Sequence, residues 1–187
     1  MRPKGLKIYK EKFLNMKTLF LLMMILTVST TGFGIVDNSN YSGTWRLDVK
    51  QSKNLPPYYE NIKSHRLFIT QDKKELNTTV EIKSSNDDQP FKMNLLYKLD
   101  GTETNTETPI RTPQGSIMVP TILSAKQISD GQLKISIVRD VKMGEKLFKG
   151  VTVEDWQLSP DGKTLSIHMV SDTPRGKIEA DLVFVKE

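Results

Sequence analysis

Three Asp-Gly pairs constrain the fold of this chain more than any other feature. They stand at residues 100–101, 130–131 and 161–162, and each lies between runs in which apolar and polar residues alternate. Asp-Gly suits the positive φ angles of tight hairpin turns, and alternation with a period of two is typical of half-buried strands. The sequence therefore predicts an all-β domain built from consecutive antiparallel hairpins.

Weaker turn signals divide the rest of the chain, and together they predict a meander of about eight to ten strands. Pro120 marks a break, a bulge or an edge in the sixth strand. A meander of this size can close into an up-and-down barrel, which removes its edges, or fold into a sandwich. The longer strands favour the barrel. The predicted strands are 43–49, 65–71, 76–83, 91–99, 102–108, 115–127, 132–142, 147–158, 163–171 and 177–186.

The N-terminal residues have the pattern of a secretory signal peptide. Lys17 supplies positive charge, residues 19–28 are apolar, and Gly32 and Gly34 fit the small positions before a cleavage site. The apolar stretch of ten residues is shorter than the roughly 20 that a membrane-spanning helix needs. An N-terminal signal helix is therefore expected to precede the barrel, and the mature protein is expected to have no transmembrane span.

This leader sets the predicted domain boundaries. Residues 1–34 are assigned to the signal peptide, with Met16 as an alternative start, and residues 35–187 to a single β-barrel domain. The protein is accordingly expected to be exported, periplasmic or extracellular. It has no cysteine, so a lipid anchor on cysteine and a disulfide are both excluded.

The charge distribution bears on the partners that the protein can bind. Residues 1–34 carry six basic residues and one acidic residue, whereas residues 35–187 carry 21 of each. The net charge of +5 therefore lies wholly in the leader. Because binding to a phosphate backbone needs a clustered basic surface, nucleic acid is not a predicted partner.

Apolar stripes along four of the predicted strands are expected to face inward. Such stripes either fill a core or line a ligand cavity, as barrels of this size can do either. The stripes are Phe91, Met93, Leu95, Tyr97 and Leu99; Leu133, Ile135, Ile137 and Val141; Leu165, Ile167 and Met169; and Ile178, Ala180, Leu182 and Phe184. The candidate ligand-binding residues taken from them and from Arg139 are Met93, Tyr97, Ile137, Arg139 and Met169.

Arg139 shares the parity of Leu133, Ile135 and Ile137, so it should point inward or lie at the rim of a barrel. An inward arginine can bind a ligand carboxylate through two parallel hydrogen bonds. It can equally pair with an internal acid such as Asp155. Because a buried arginine without a partner is costly, one of these arrangements is required.

Several segments resemble bacterial secreted lipocalin-like barrel domains of the calycin type. Gly43-Thr44-Trp45 resembles the start of the first strand in such proteins, and residues 47–53, 156–165 and 183–185 are similar to other parts of the group. The resemblance spans residues 41–187. It implies a structural role for Gly43 and Trp45 at the barrel floor, and non-covalent binding of a small apolar or amphipathic molecule in the interior.

No catalytic residue, metal site or cofactor is predicted from the remaining polar residues. His65 and His168 each lie in a strand-like run without a second histidine or acid at a metal-binding spacing, so both are expected to be surface residues. No nucleophile elbow, phosphate-binding glycine loop or zinc-protease helix is present. The protein is therefore not expected to be an enzyme.

Two other functions stay open beside ligand binding. One is a ligand-free module that binds an envelope partner through the predicted loops 50–64 and 109–120. The other is an unrecognised enzyme in the cavity, because barrels support many functions. The oligomeric state also stays open.

Overall fold

The computed structural model describes residues 39–112, 115–173 and 176–187. The predicted signal peptide at residues 1–34 lies outside the described residues. A short 3-10 helix, Pro57–Asn61, interrupts the connection between the first two strands. The ten strands are β1 (Gly43–Leu47), β2 (Ile62–Gln71), β3 (Glu75–Ser84), β4 (Phe91–Lys98), β5 (Thr104–Thr112), β6 (Gly115–Ser129), β7 (Gln132–Met143), β8 (Lys146–Leu158), β9 (Thr164–Thr173) and β10 (Gly176–Lys186).

The strands form one antiparallel meander that curls into a nearly closed barrel. Their hydrogen-bonded order is β4-β3-β2-β1-β10-β9-β8-β7-β6-β5. The first and last strands pair directly, with Arg46 opposite Val185, so the two ends of the order are β4 and β5, which follow each other in the chain. This nearly closed barrel confirms the all-β, up-and-down fold predicted from the sequence.

The three Asp-Gly pairs lie in the turns that they predict. Their glycines have φ angles of +89° at Gly101, +70° at Gly131 and +66° at Gly162. They connect β4 to β5, β6 to β7 and β8 to β9. Residues with a Cβ rarely adopt these positive φ angles, whereas glycine adopts them without strain, so these turns are encoded by the local sequence.

The inward faces of the strands form a continuous apolar core. Leu133, Ile135 and Ile137 on β7 are buried, and Leu165 and Ile167 on β9 are buried beside them. The stripe on β10 continues this face through its alternate residues. The predicted period-two stripes therefore do face the interior, because each buries apolar area against the next strand.

Aromatic residues close the end of the barrel at which β1 begins. Trp45 is fully buried, and its Nε1 donates a hydrogen bond of 2.8 Å to the carbonyl oxygen of Tyr41. The ring of Tyr41 meets that of Trp156 edge-on at 6.0 Å. We call this closed end the floor.

Gly43 is needed where Lys186 crosses the start of β1. Its φ is +142°, and a Cβ there would come within 2.5 Å of Lys186 Cε. The Lys186 Nζ then lies 5.1 Å from the centre of the Trp45 ring. The Gly-x-Trp sequence thus lets a cation lie over the indole, an arrangement that is itself favourable.

The predicted loop at 109–120 is wrong, because most of it belongs to β5 and β6. Pro109 is tolerated because β5 is at the end of the hydrogen-bonded order. The strand β6 also continues through Pro120. Its pairing with β7 begins at Thr121, directly after this proline, so Pro120 lies at an edge of that ladder rather than at a break.

Candidate ligand-binding cavity

The barrel contains an inner chamber that continues into a wider mouth. The inner chamber has a volume of about 240 Å³ and is lined by inward side chains of β2, β3, β4 and β7–β10. The mouth, of about 620 Å³, lies where β4 and β5 face each other under the 3-10 helix. Tyr58, Ile82, Met93 and Arg139 line both spaces. An opening therefore leads into the barrel at the end opposite the floor.

The gap between β4 and β5 is spanned differently at its two ends. Near the floor, Gly101 donates its backbone N–H to the carbonyl oxygen of Ala125, at 2.9 Å. At the mouth, Arg111 on β5 forms an ion pair of 2.7 Å with Asp87 and lies 5.1 Å from the Phe91 ring. The mouth is therefore closed by side chains rather than by a strand ladder.

The five candidate ligand-binding residues all reach the wall of the inner chamber. The chamber wall includes Met93, Tyr97, Ile137, Arg139 and Met169, which come from three different strands. Strand parity brings them to one space, as the alternation of their strands predicts. Their contribution to binding stays a prediction.

Arg139 is held at the junction of the chamber and the mouth. Its Nε donates a hydrogen bond of 3.1 Å to Thr108 Oγ1, and its Nη2 makes a weak contact of 3.4 Å with Met93 Sδ. Thr108 is itself fixed by Thr121, at 2.7 Å between the two hydroxyl oxygens. Burial lowers the pKa of Arg139, but a guanidinium stays protonated in proteins.

The predicted partnership of Arg139 with Asp155 is wrong. Asp155 is exposed and forms an ion pair of 3.2 Å with Lys134 on the outer surface. On β8 the inward parity belongs to Glu154 and Trp156, because the larger indole buries more apolar area than the valines of the other parity. Among the ion pairs of the described residues, none includes Arg139.

Glu154 is the internal acid that the sequence interpretation missed. Its Oε2 accepts a hydrogen bond of 2.8 Å from Trp156 Nε1, which is its one hydrogen bond within the described part of the chain. Burial raises the pKa of this carboxyl, more than the nearby Arg139 charge lowers it. The chamber therefore contains a carboxyl group whose neutral form is favoured by its surroundings.

His65 connects the inner chamber to the 3-10 helix, and its predicted surface position is wrong. Only 7% of the residue is exposed. Its Nδ1 lies 3.3 Å from the Tyr59 hydroxyl, and its ring meets Phe184 edge-on at 5.1 Å. Burial lowers the pKa of His65 from 6.5 to about 4. The imidazole is thus neutral at neutral pH and holds the helix against the barrel through Tyr59.

Sequence parity could have found these missed residues. His65 alternates with Leu67 and Ile69, and Glu154 alternates with Trp156 and Leu158. Thr78 likewise alternates with Leu76 and Val80, and it is 1% exposed. A polar residue in an apolar stripe is a signal for the interior, but it does not show whether the residue reaches a cavity.

The described ranges hold neither a metal-binding cluster nor a membrane-spanning helix. There, no group of three or more His, Cys, Asp or Glu side chains is arranged to hold a metal ion. In the same part of the chain, no helix has the length and apolarity to cross a membrane.

The chain has a structural similarity to one solved protein. No family model matches the chain, and no curated protein matches it. Among solved structures, the chain is similar to the zebrafish ileal bile acid-binding protein in complex with cholic acid. That similarity covers 80% of this chain and 100% of the other, with 13% sequence identity and a TM-score of 0.45. A similarity of this degree extends neither to the cavity residues nor to the ligand.

Proposed function

We propose that this protein binds a small amphipathic molecule in the barrel, with an acidic group of the ligand at Arg139 and its apolar body in the cavity. The observation that carries the proposal is the position of Arg139. Its guanidinium lines both the chamber and the mouth, and the nearest described acids form no ion pair with it. Arg139 is partly buried and forms no ion pair with a described acid, and a ligand carboxylate would pair with it through two hydrogen bonds.

The remaining walls favour an apolar ligand body. Ile137, Met169, Leu95 and Phe184 contribute hydrocarbon surface to the inner chamber. Methionine side chains adapt their shape to the molecule that they contact. A chamber with apolar walls and a few polar groups is the usual form of a small-molecule site.

We infer from the leader alone that binding takes place after export. The apolar segment and small residues of 1–34 support this location. Outside the cytoplasm the barrel would carry or sequester its ligand without chemical conversion.

Replacing Arg139 by leucine tests the binding proposal. Loss of a charge-assisted pair should weaken binding of a fluorescent fatty acid by about tenfold or more, measured by titration. Without ligand, Arg139→Leu should be about as stable to urea as the natural protein, because the charge that it removes is half-buried and has no ion-pair partner.

The matched control is Arg46→Leu, because Arg46 lies on the outside and pairs with Glu187 at 3.5 Å. It should leave the affinity unchanged. An affinity for the fatty acid that is the same in Arg139→Leu and in the natural protein would contradict the proposed site.

A second candidate function, docking to an envelope partner, is favoured by exposed apolar residues on two hairpins. Ile117, Met118 and Leu147 are 45%, 56% and 68% exposed near the β5–β6 and β7–β8 turns. Exposed apolar groups at neighbouring turns are typical of interaction surfaces. Absence of fatty-acid binding in the titration above would favour this alternative.

A further inference from the structure

The inner chamber contains polar groups that the described residues leave unpartnered or only partly hydrogen-bonded. Thr78 Oγ1 is buried without a hydrogen-bond partner. The Tyr97 hydroxyl makes no hydrogen bond within the described ranges, and Glu154 uses one oxygen for Trp156. All three side chains line the chamber. A buried polar group without a partner is destabilising and uncommon in native proteins.

Thr78 and Tyr97 are neighbours on the wall of the chamber, and Glu154 lines the same chamber from β8. Thr78 is opposite Leu95 in the β3–β4 ladder, and Tyr97 follows two residues later on the same face. Tyr97 also interacts electrostatically with Glu154 across the barrel. Thr78 and Tyr97 are on a diagonal of the β3–β4 ladder, where Cα atoms lie about 7–8 Å apart, so one small group can reach both side chains.

Their environment favours uncharged forms. Burial raises the pKa of Glu154, and it also raises the pKa of Tyr97. Threonine has no charge to begin with. Thr78 and Tyr97 therefore offer hydrogen bonds without a formal charge, and burial favours the neutral form of Glu154 beside them.

We propose that Thr78, Tyr97 and Glu154 form a second polar subsite, which binds a hydroxyl or carbonyl group on the buried part of the ligand. This inference rests on the proposed function and adds a substrate class to it, an apolar acid with a polar group far from its carboxylate. An acid whose buried chain is purely hydrocarbon would leave these polar groups without a ligand partner.

The register indicates where on the ligand this group should be. Arg139 is opposite Gly150, and Glu154 follows four residues later on β8. At about 3.3 Å per residue, the Cα atom of Glu154 lies on the order of 10 Å deeper in the barrel than the Cα atom of Arg139. The polar group should therefore be in the middle of a long chain rather than next to the acid.

Competition between three probes tests the subsite. Stearate, 12-hydroxystearate and 2-hydroxystearate would each displace a fluorescent fatty acid from the full chain. We expect 12-hydroxystearate to bind about tenfold more tightly than stearate, because it satisfies groups that stearate leaves unpaired. The hydroxyl of 2-hydroxystearate stays near Arg139, so this probe should behave like stearate.

Two conservative variants assign the preference to the subsite. Thr78→Val and Tyr97→Phe each remove one hydroxyl, and each should lower the ratio of 12-hydroxystearate affinity to stearate affinity. The control is Thr152→Val, since Thr152 also lines the chamber but already bonds Ser171 at 2.8 Å. It should keep the full preference. Circular dichroism establishes that each variant is folded.

The outcomes separate this inference from the proposed function. Equal binding of stearate and 12-hydroxystearate by the natural protein would overturn the subsite and leave the cavity proposal standing. A preference that persists undiminished in both variants would also overturn it. Failure of all three probes to displace the fluorescent fatty acid would reject both proposals together.

Discussion

His65 and Glu154 are titratable side chains in the same barrel interior, and burial acts on their protons in opposite directions. Burial lowers the pKa of His65 to about 4 and raises the pKa of Glu154. Both changes favour the neutral form of the side chain. Single residues therefore supply polar groups to the interior whose neutral forms are favoured by burial.

The lowered pKa of His65 predicts a loss of stability in acid. Below pH 6.5 the unfolded chain takes up a proton that the folded chain does not accept until about pH 4. As the pH is lowered through this window, the free energy of unfolding should decrease by on the order of 1 kcal/mol per pH unit because of this residue. Urea unfolding of His65→Phe should show a weaker pH dependence than the natural protein between these values.

The control for this prediction is His168→Gln. His168 is exposed, and its hydrogen bond to Asp181, of 2.8 Å, raises its pKa. This variant should keep the acid-side loss that His65 causes. If His65→Phe and the natural protein had parallel stability profiles between pH 6.5 and 4, the buried histidine would not be the cause.

At the scale of the elements, the join between strands decides where the barrel can open. The β1–β10 ladder closes one side with regular pairs. The other side, between β4 and β5, is held near the mouth by Arg111 and Asp87. The 3-10 helix covers this region and is tied to β2 by Tyr59 and His65. Side-chain contacts can break singly, whereas a ladder opens cooperatively.

Amide hydrogen exchange should therefore be faster at the gap than at the closed side. We expect the amides of β4 and β5 that face each other to exchange at least about a hundredfold faster than the paired amides of β1 and β10. The measurement is exchange followed by NMR or mass spectrometry on the ligand-free protein. Equal protection of β4 and β1 would show that the gap is as stable as the ladder.

For the whole molecule, a ligand that bridges several strands should stabilise the barrel as a unit. The inner chamber contacts β2, β3, β4 and β7–β10 at once. A ligand at one hundred times its Kd adds about 2.7 kcal/mol to the free energy of unfolding. For a domain of this size, we expect stearate to raise the Tm by about 5–10 °C in a thermal scan.

The control for this shift is stearylamine, whose cationic head group would face the Arg139 guanidinium. It should give a much smaller rise in Tm than stearate. Equal shifts from the two compounds would indicate non-specific adsorption of the alkyl chain rather than binding in the cavity.

Local sequence determined the elements of this protein. Asp-Gly pairs and period-two alternation placed the turns and strands to within a few residues, because a turn depends on the backbone preferences of two or three adjacent residues. Alternation also predicted that Met93, Tyr97, Ile137, Arg139 and Met169 share one face, and the structure brings them to one chamber.

Only the tertiary structure decided which polar residues lie inside and that the interior holds a cavity. Asp155 and Glu154 are adjacent, and the choice between them depends on how Trp156 packs against the neighbouring strands. The burial of His65 depends on Tyr59 and Phe184, which come from the 3-10 helix and from β10. Packing between distant segments is the sum of many contacts that are absent from any local pattern. That sum places Arg139 where a ligand can reach it.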